Sequence, residues 1–124
     1  MAAKKVIYIS GPISGVPKYW EAFERAEDLV TDLGYIALTP SRLPEGMTNA
    51  QYMRIDLATI DSADAVLFLP GWDRSQGAKL ERSYCEYIGK PCTELRVYDP
   101  YSGEDPDAVT RVWLKAELRG VMRE

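Results

Sequence analysis

The sequence predicts an α/β fold, a doubly wound parallel sheet with helices on both faces. Three observations predict it. Short apolar runs recur without the polar alternation of a half-exposed strand, segments of helical period separate them, and glycine or proline stands at nearly every junction.

The first strand is Val6–Ser10 (VIYIS), stopped by Gly11 and Pro12. A helix follows over Tyr19–Leu33, where Trp20, Phe23, Ala26, Leu29, Val30 and Leu33 recur at helical spacing and Gly34 stands at the usual C′ position. Tyr35–Thr39 reads as the second strand, ended by Pro40. Prolines and a glycine make Pro40–Thr48 a loop, and Thr48 or Asn49 caps a second helix running to about Ser62. Ala65–Leu69 is the third strand, Gly77–Ile88 the next helix, and Thr93–Tyr98 the fourth strand beyond Gly89-Lys90-Pro91. Pro100–Asp107 is a polar turn, after which Val109, Trp113, Ala116, Leu118 and Val121 outline a terminal amphipathic helix. Strands alternating with helices imply right-handed crossovers and a flavodoxin- or Rossmann-like sheet of four to five strands. No repeat or composition break divides the chain, so residues 1–124 read as a single domain.

Composition narrows the function. A net charge of −4 offers no basic stripe for a nucleic-acid backbone, so polymeric nucleic acid is not an expected partner. The start, MAAKKVIYIS, is too short in apolar residues for a signal core or a membrane span, and a cytoplasmic location is expected. Cys85 and Cys92, the two cysteines, lack the spacing of a zinc knuckle or redox dithiol and read as reduced thiols. With no histidine in the chain, imidazole bases and histidine metal sites are absent; neither a metal nor a cofactor is expected, and proton transfer falls to carboxylates, tyrosines, lysines or thiols.

In open α/β sheets, ligands sit beyond the carboxyl ends of the strands near the switch point in strand order. The candidate loops are therefore 11–18, 40–48 and 70–76. The first carries GPISG (Gly11–Gly15), whose amides can approach a phosphate or sugar, although it is neither a P-loop nor a dinucleotide fingerprint and a plain tight turn explains it equally. The third carries GWDRSQGAKLE (71–81), with Glu81 about one turn into the following helix. There the positive end of the macrodipole favours an ionised carboxylate, hence a nucleophile, while a solvated helix face is the plainer alternative. Asp56 has the same two readings, Asp61 and Asp64 read as helix-end and turn residues, Asp73 as a cap for the amides of Ser75 or Gln76, and Trp72 as a ligand cover or packing on the sheet rim.

The segments YISGPISG, RIDLATIDSADAVLFL and SQGAKLERSYCEYIGKP together resemble the nucleoside 2-deoxyribosyltransferase family and its relatives, the 2′-deoxynucleoside 5′-monophosphate N-glycosidases, over residues 6–97. The spacing GW-x-x-S-x-GA-x-x-E of Gly71 to Glu81 is similar to that of the small DUF4406-type members. The resemblance implies that Glu81 is the nucleophile, with Ser75 and Gly77 contacting sugar or phosphate, Asp56 the catalytic aspartate, and Tyr8 the first-strand tyrosine. It places Gly11 and Ser14 in the sugar or phosphate loop, although Ser14 and Pro12 stand where a nucleotide-hydrolysing relative is expected to carry an arginine or a serine for the 5′-phosphate. Trp72, Asp73 and Tyr52 complete the expected pocket, Trp72 or Tyr52 as a cover for the base.

The chemistry is coherent by itself. Breaking an N-glycosidic bond passes through an oxocarbenium-like centre; one carboxylate attacks or stabilises it and a second acidic group orients the sugar or handles the proton of the departing base, the two standing roughly 5 Å apart in retaining chemistry. The expected substrate is a small nucleoside or nucleotide, and the expected assembly a homodimer or larger oligomer, by resemblance and because Trp113, Leu114 and Val121 give the last helix more apolar face than one domain needs. The rival reading is a non-catalytic module binding a nucleotide or nucleotide-derived metabolite in the same cleft. A phosphoacceptor receiver fits less well, since the first strand ends in YISGP without the paired aspartates it needs.

Overall fold

A computed structural model describes residues 3–96 and 106–124. Four strands, β1 (Val6–Ser10), β2 (Ile36–Leu38), β3 (Ala65–Phe68) and β4 (Cys92–Glu94), form one sheet in the order β2-β1-β3-β4, with every pairing parallel. The helices are α1 (Tyr19–Asp32), α2 (Asn49–Ser62), α3 (Gln76–Ile88) and α4 (Pro106–Met122). Strand order reverses beside β1, which puts the switch point between β1 and β3, the two central strands.

The pleat sorts their side chains. Successive residues of a strand face opposite sides, so Ile7 and Ile9 of β1 join Ala65 and Leu67 of β3 in one core with Phe23, Ala26, Leu29 and Val30 of α1 and Leu114 and Leu118 of α4. Tyr8 of β1 faces the other side and joins Val66 and Phe68 of β3, Ile60 of α2 and Cys85 of α3. Both faces of the sheet are covered, which explains why its central strands read as unbroken apolar runs.

Local chemistry sets the boundaries. Thr48 closes a capping box on α2, its hydroxyl accepting from Gln51 N at 3.1 Å while the Gln51 side chain accepts from Thr48 N at 3.0 Å. Gly34 follows the end of α1 at φ 92°, the left-handed conformation expected of a C′ glycine. Lys90 Nζ donates to the Ala63 carbonyl at 2.5 Å, binding a cation just beyond the carboxyl end of α2. The Asp64 carboxylate accepts from Val6 N at 2.7 Å and anchors the start of β1, a structural task for the turn aspartate.

Three expectations change. β4 is shorter than Thr93–Tyr98 and ends at Glu94; Val97 and Tyr98, with residues 100–105 of the expected polar turn, lie outside the described residues. The helix expected from Gly77 begins at Gln76, because Ser75 Oγ accepts from Ala78 N at 3.2 Å and is the cap; Asp73 does not serve that role. The apolar surplus on the last helix also falls away. Leu114 is fully buried in the chain's own core, Trp113 and Val121 pack against that core, and the Arg96 guanidinium lies 5.7 Å over the Trp113 ring.

Candidate functional site

Three of the expected residues come together on the α2/α3 side of the sheet. Tyr8 reaches it because the pleat of β1 turns it there. On α3 the inward stripe is Ala78, Glu81 and Cys85, so a carboxylate occupies a position that the helical period assigns to the core. On α2 the buried positions are Asp56 and Ile60, one turn apart on the same face. Residual exposure is 1% for Tyr8, 5% for Glu81 and 7% for Asp56, so neither carboxylate is a solvated helix face.

The Tyr8 hydroxyl donates to Glu81 Oε1 at 2.7 Å. Burial, reinforced by the charges of Glu81 and then Asp56, pushes the phenol far above its ordinary range, so Tyr8 is a permanent donor. Burial likewise raises Glu81 to about 7; the Tyr8 hydrogen bond opposes this, the Asp56 charge adds to it, and Ser10 opposes it. Asp56 is raised to about 6, again by burial, with the nearby Tyr8 hydroxyl pulling the other way. Burial therefore shifts Glu81 toward its protonated form, against the pull of the helix end. The macrodipole acts mainly within the first turn, and at the sixth residue of α3 desolvation outweighs it.

The remaining expected residues have other employment or stand apart. Gly11 lies where β1 and β3 leave the sheet together, and a Cβ there would sit 2.9 Å from Leu69 Cβ. Ser14 is exposed on the loop beyond it. Ser75 is committed to the α3 cap, and a Cβ at Gly77 would meet Met53 of α2 at an ordinary 3.9 Å. Trp72 packs on Phe68 with ring centroids 5.5 Å apart, and the Arg82 guanidinium lies about equally close to both rings, at 5.0 and 5.1 Å. Asp73 is exposed in the same turn. The Tyr52 hydroxyl donates to the Pro44 carbonyl at 2.6 Å and accepts from Met47 N at 3.2 Å, so it braces the 40–48 loop.

Sequence reasoning gave Ser10 no part at the carboxylate pair. This residue is wholly buried on the face shared with Tyr8, and among the described residues its hydroxyl meets no hydrogen-bond partner, although it lies near enough to Glu81 to ease ionisation. The signal was present in the strand period: Ser10 is a polar residue two positions from Tyr8 in an otherwise apolar strand. Cys85, one turn beyond Glu81, is pushed up to about 12 by burial and then by its neighbours Cys92 and Glu81, and so remains a thiol. Both cysteines are free, and among the described residues no cluster of carboxylates and thiols is arranged to hold a metal ion. Nor is any described helix long and apolar enough to cross a membrane.

Two hollows open at the same end of the sheet. One, of about 360 Å³, is bordered by Pro12, Arg25, Leu69 and Arg96; the other, of about 400 Å³, by Phe68, Trp72, Asp73 and Arg96. Tyr8, Asp56 and Glu81 line neither.

The family profile of DUF4406, a domain of unknown function, matches residues 5–94, and this span holds β1 to β4 and all three site residues. The chain belongs to the DUF4406 family. The fold of this DUF4406 protein is similar to that of a 2-deoxyribosyltransferase from the psychrotolerant bacterium Bacillus psychrosaccharolyticus, with a TM-score of 0.60 over 85% of this chain and 90% of that one at 21% identity. A search of curated proteins finds no match. The nucleoside 2-deoxyribosyltransferase-like fold expected from the sequence is thus the fold of this DUF4406 chain.

Proposed function

We propose that the protein is an N-glycosyl enzyme that cleaves or exchanges the base of a nucleoside or nucleotide, with Glu81 as nucleophile. The observation that carries this reading is the buried bond from Tyr8 to Glu81 with a second buried carboxylate, Asp56, acting on both groups at the switch point. Similarity of fold to a 2-deoxyribosyltransferase supports the substrate class.

In the first step a Glu81 carboxylate oxygen bonds to C1′ as the C1′–N bond breaks and its electron pair goes to the base nitrogen. Asp56, which burial raises above the ordinary carboxylate range, is the group placed to supply the proton that the departing nitrogen takes. Tyr8 holds Oε1, which becomes the ester carbonyl, and leaves the other oxygen to attack. Water then attacks C1′ and yields the free sugar, or a second base attacks through its nitrogen and yields a new nucleoside; the attacking group gives its proton back to the Asp56 carboxylate, and the Glu81 carboxylate departs in either case. Which acceptor wins depends on how well the closed site excludes water.

A second reading, a module that binds a nucleotide without turning it over, draws support from the closed state of the site. Neither hollow is lined by the three residues, and no more than 7% of any of them meets solvent. Incubation with a panel of deoxynucleosides and their monophosphates, read by chromatography, separates the two. Base released by wild type and lost in Glu81→Gln supports the enzyme. Saturable binding without base release overturns it in favour of the module.

A further inference from the structure

We propose that Ser10 is a positioning residue for Glu81, a second hydroxyl that works with Tyr8 to hold the carboxylate in place. The inference rests on the reading of Glu81 as nucleophile for its consequence, and on geometry for its substance.

The backbone of Ser10 is fixed on both sides. It stands in register with Phe68 of β3, its carbonyl accepts from Leu69 N at 2.8 Å, and Leu69 leaves no room for a Cβ on Gly11 behind it. Its side chain shares the sheet face of Tyr8, one strand repeat further toward the carboxyl end. That face is roofed by α3, where Glu81 reaches back to Tyr8 and Arg82 lies over Phe68, the residue in register with Ser10. The hydroxyl is 0% exposed and unpartnered among the described residues, and a buried hydroxyl without a partner is uncommon enough to require a reason. An alanine would fill the same space without it.

The reason is the neighbouring carboxylate. Ser10 bears on the ionisation of Glu81 in the same sense as Tyr8, as a donor does. A serine hydroxyl reaches hydrogen-bond geometry by rotation alone, and it can turn to accept when Glu81 takes a proton. Tyr8 fixes one carboxylate oxygen; Ser10, approaching from the next strand repeat, limits rotation of the group about that single bond. The other groups facing Glu81 are Asp56 from α2, which opposes its ionisation, and Cys85 on its own helix, which stays neutral.

The test reads Glu81 directly. The side-chain carboxyl carbon is titrated by ¹³C NMR in wild type, Ser10→Ala and Ser10→Thr, with Glu81→Gln identifying the resonance. Loss of one donor to a charged carboxylate should move the midpoint upward by about one pH unit in Ser10→Ala, and Ser10→Thr, which keeps the hydroxyl, should bring it back. A folded Ser10→Ala protein with the wild-type midpoint overturns the proposal. Should Ser10→Ala fail to fold, Ser10→Cys, a weak donor of similar size, is titrated instead; an upward shift supports the proposal and an unmoved midpoint overturns it. If wild type releases no base from any nucleoside, the proposed enzyme is refuted while the titration still decides the role of Ser10. If base release occurs, the acid limb of its pH profile should move with the midpoint in Ser10→Ala.

Discussion

Tyr8 and Glu81, 73 residues apart in sequence, share a 2.7 Å hydrogen bond beneath α3, and the donor never ionises in the accessible pH range. Tyr8→Phe keeps the ring and deletes that donor. Glu81, already raised to about 7 by burial, then loses the main group opposing the rise, so its midpoint should climb further. Base release should fall at pH 7 by about tenfold or more and recover partly at pH 9. A profile with the wild-type midpoint would mean that the phenol does not govern Glu81.

Glu81→Gln should abolish base release and stabilise the fold at alkaline pH. The folded value of about 7 lies above the ordinary 4.5, so the folded state binds the proton more tightly than the unfolded chain. The wild-type carboxylate therefore costs nothing below pH 4.5, destabilises progressively as pH rises toward 7, and carries its full penalty above. Glutamine keeps an acceptor for Tyr8 without a charge. Urea unfolding should show it more stable than wild type at pH 8 by on the order of 2 kcal/mol, with the gap closing toward pH 4.5. A gap that is constant with pH would show that Glu81 ionises as freely as in water.

Asp56→Asn removes the like charge that raises Glu81 while leaving burial, the larger cause, in place. The Glu81 midpoint should drop by a fraction of a pH unit, and base release should still fall, because the departing base loses its acid. Measuring both separates the two effects: a lower midpoint with unchanged turnover would leave Asp56 as an electrostatic neighbour alone. As the pair interacts, the observed midpoints belong to Asp56 and Glu81 jointly.

Much of this was legible in the sequence for identifiable reasons. Val6–Ser10 and Ala65–Phe68 show as apolar runs because both faces of the central strands are covered, whereas β2 and β4 at the edges are three residues each and their ends blur. Glu81 and Asp56 were picked out by motif spacing, but their burial was not readable locally: it depends on α2 and α3 lying side by side over Tyr8, a relationship among residues that stand 25 or more positions apart in the chain. For the same reason the helix-end argument for a charged Glu81 failed, since it counted the dipole and not the desolvation imposed by the sheet below. Trp72 was open to two readings, ligand cover or packing on the sheet rim, and Tyr52 to a cover alone, because an aromatic in a loop gives no sign of its partners; those partners are Arg82 and Phe68 for Trp72 and the Pro44 carbonyl for Tyr52.

Gly11 sits in the glycine loop that the sequence marks for ligand contact, yet the structure gives it a packing task as well. A Cβ there would meet three atoms of the Leu69 side chain at 2.9, 3.1 and 3.2 Å. Leu69 is itself nearly fully buried and its amide is tied to Ser10, so it has little room to give. Gly11→Ala should cost about 1–3 kcal/mol by overpacking, readable as a lowered urea midpoint. The cost should be specific to the pair: Leu69→Ala opens space, so the double variant should be less destabilised than the two single changes added together. Strict additivity would show that the two do not press on each other, and that the glycine is there for the loop alone. Because the strained residues flank Ser10, loss of activity in Gly11→Ala alongside a shifted Glu81 midpoint would trace the damage through the end of β1 to the carboxylate.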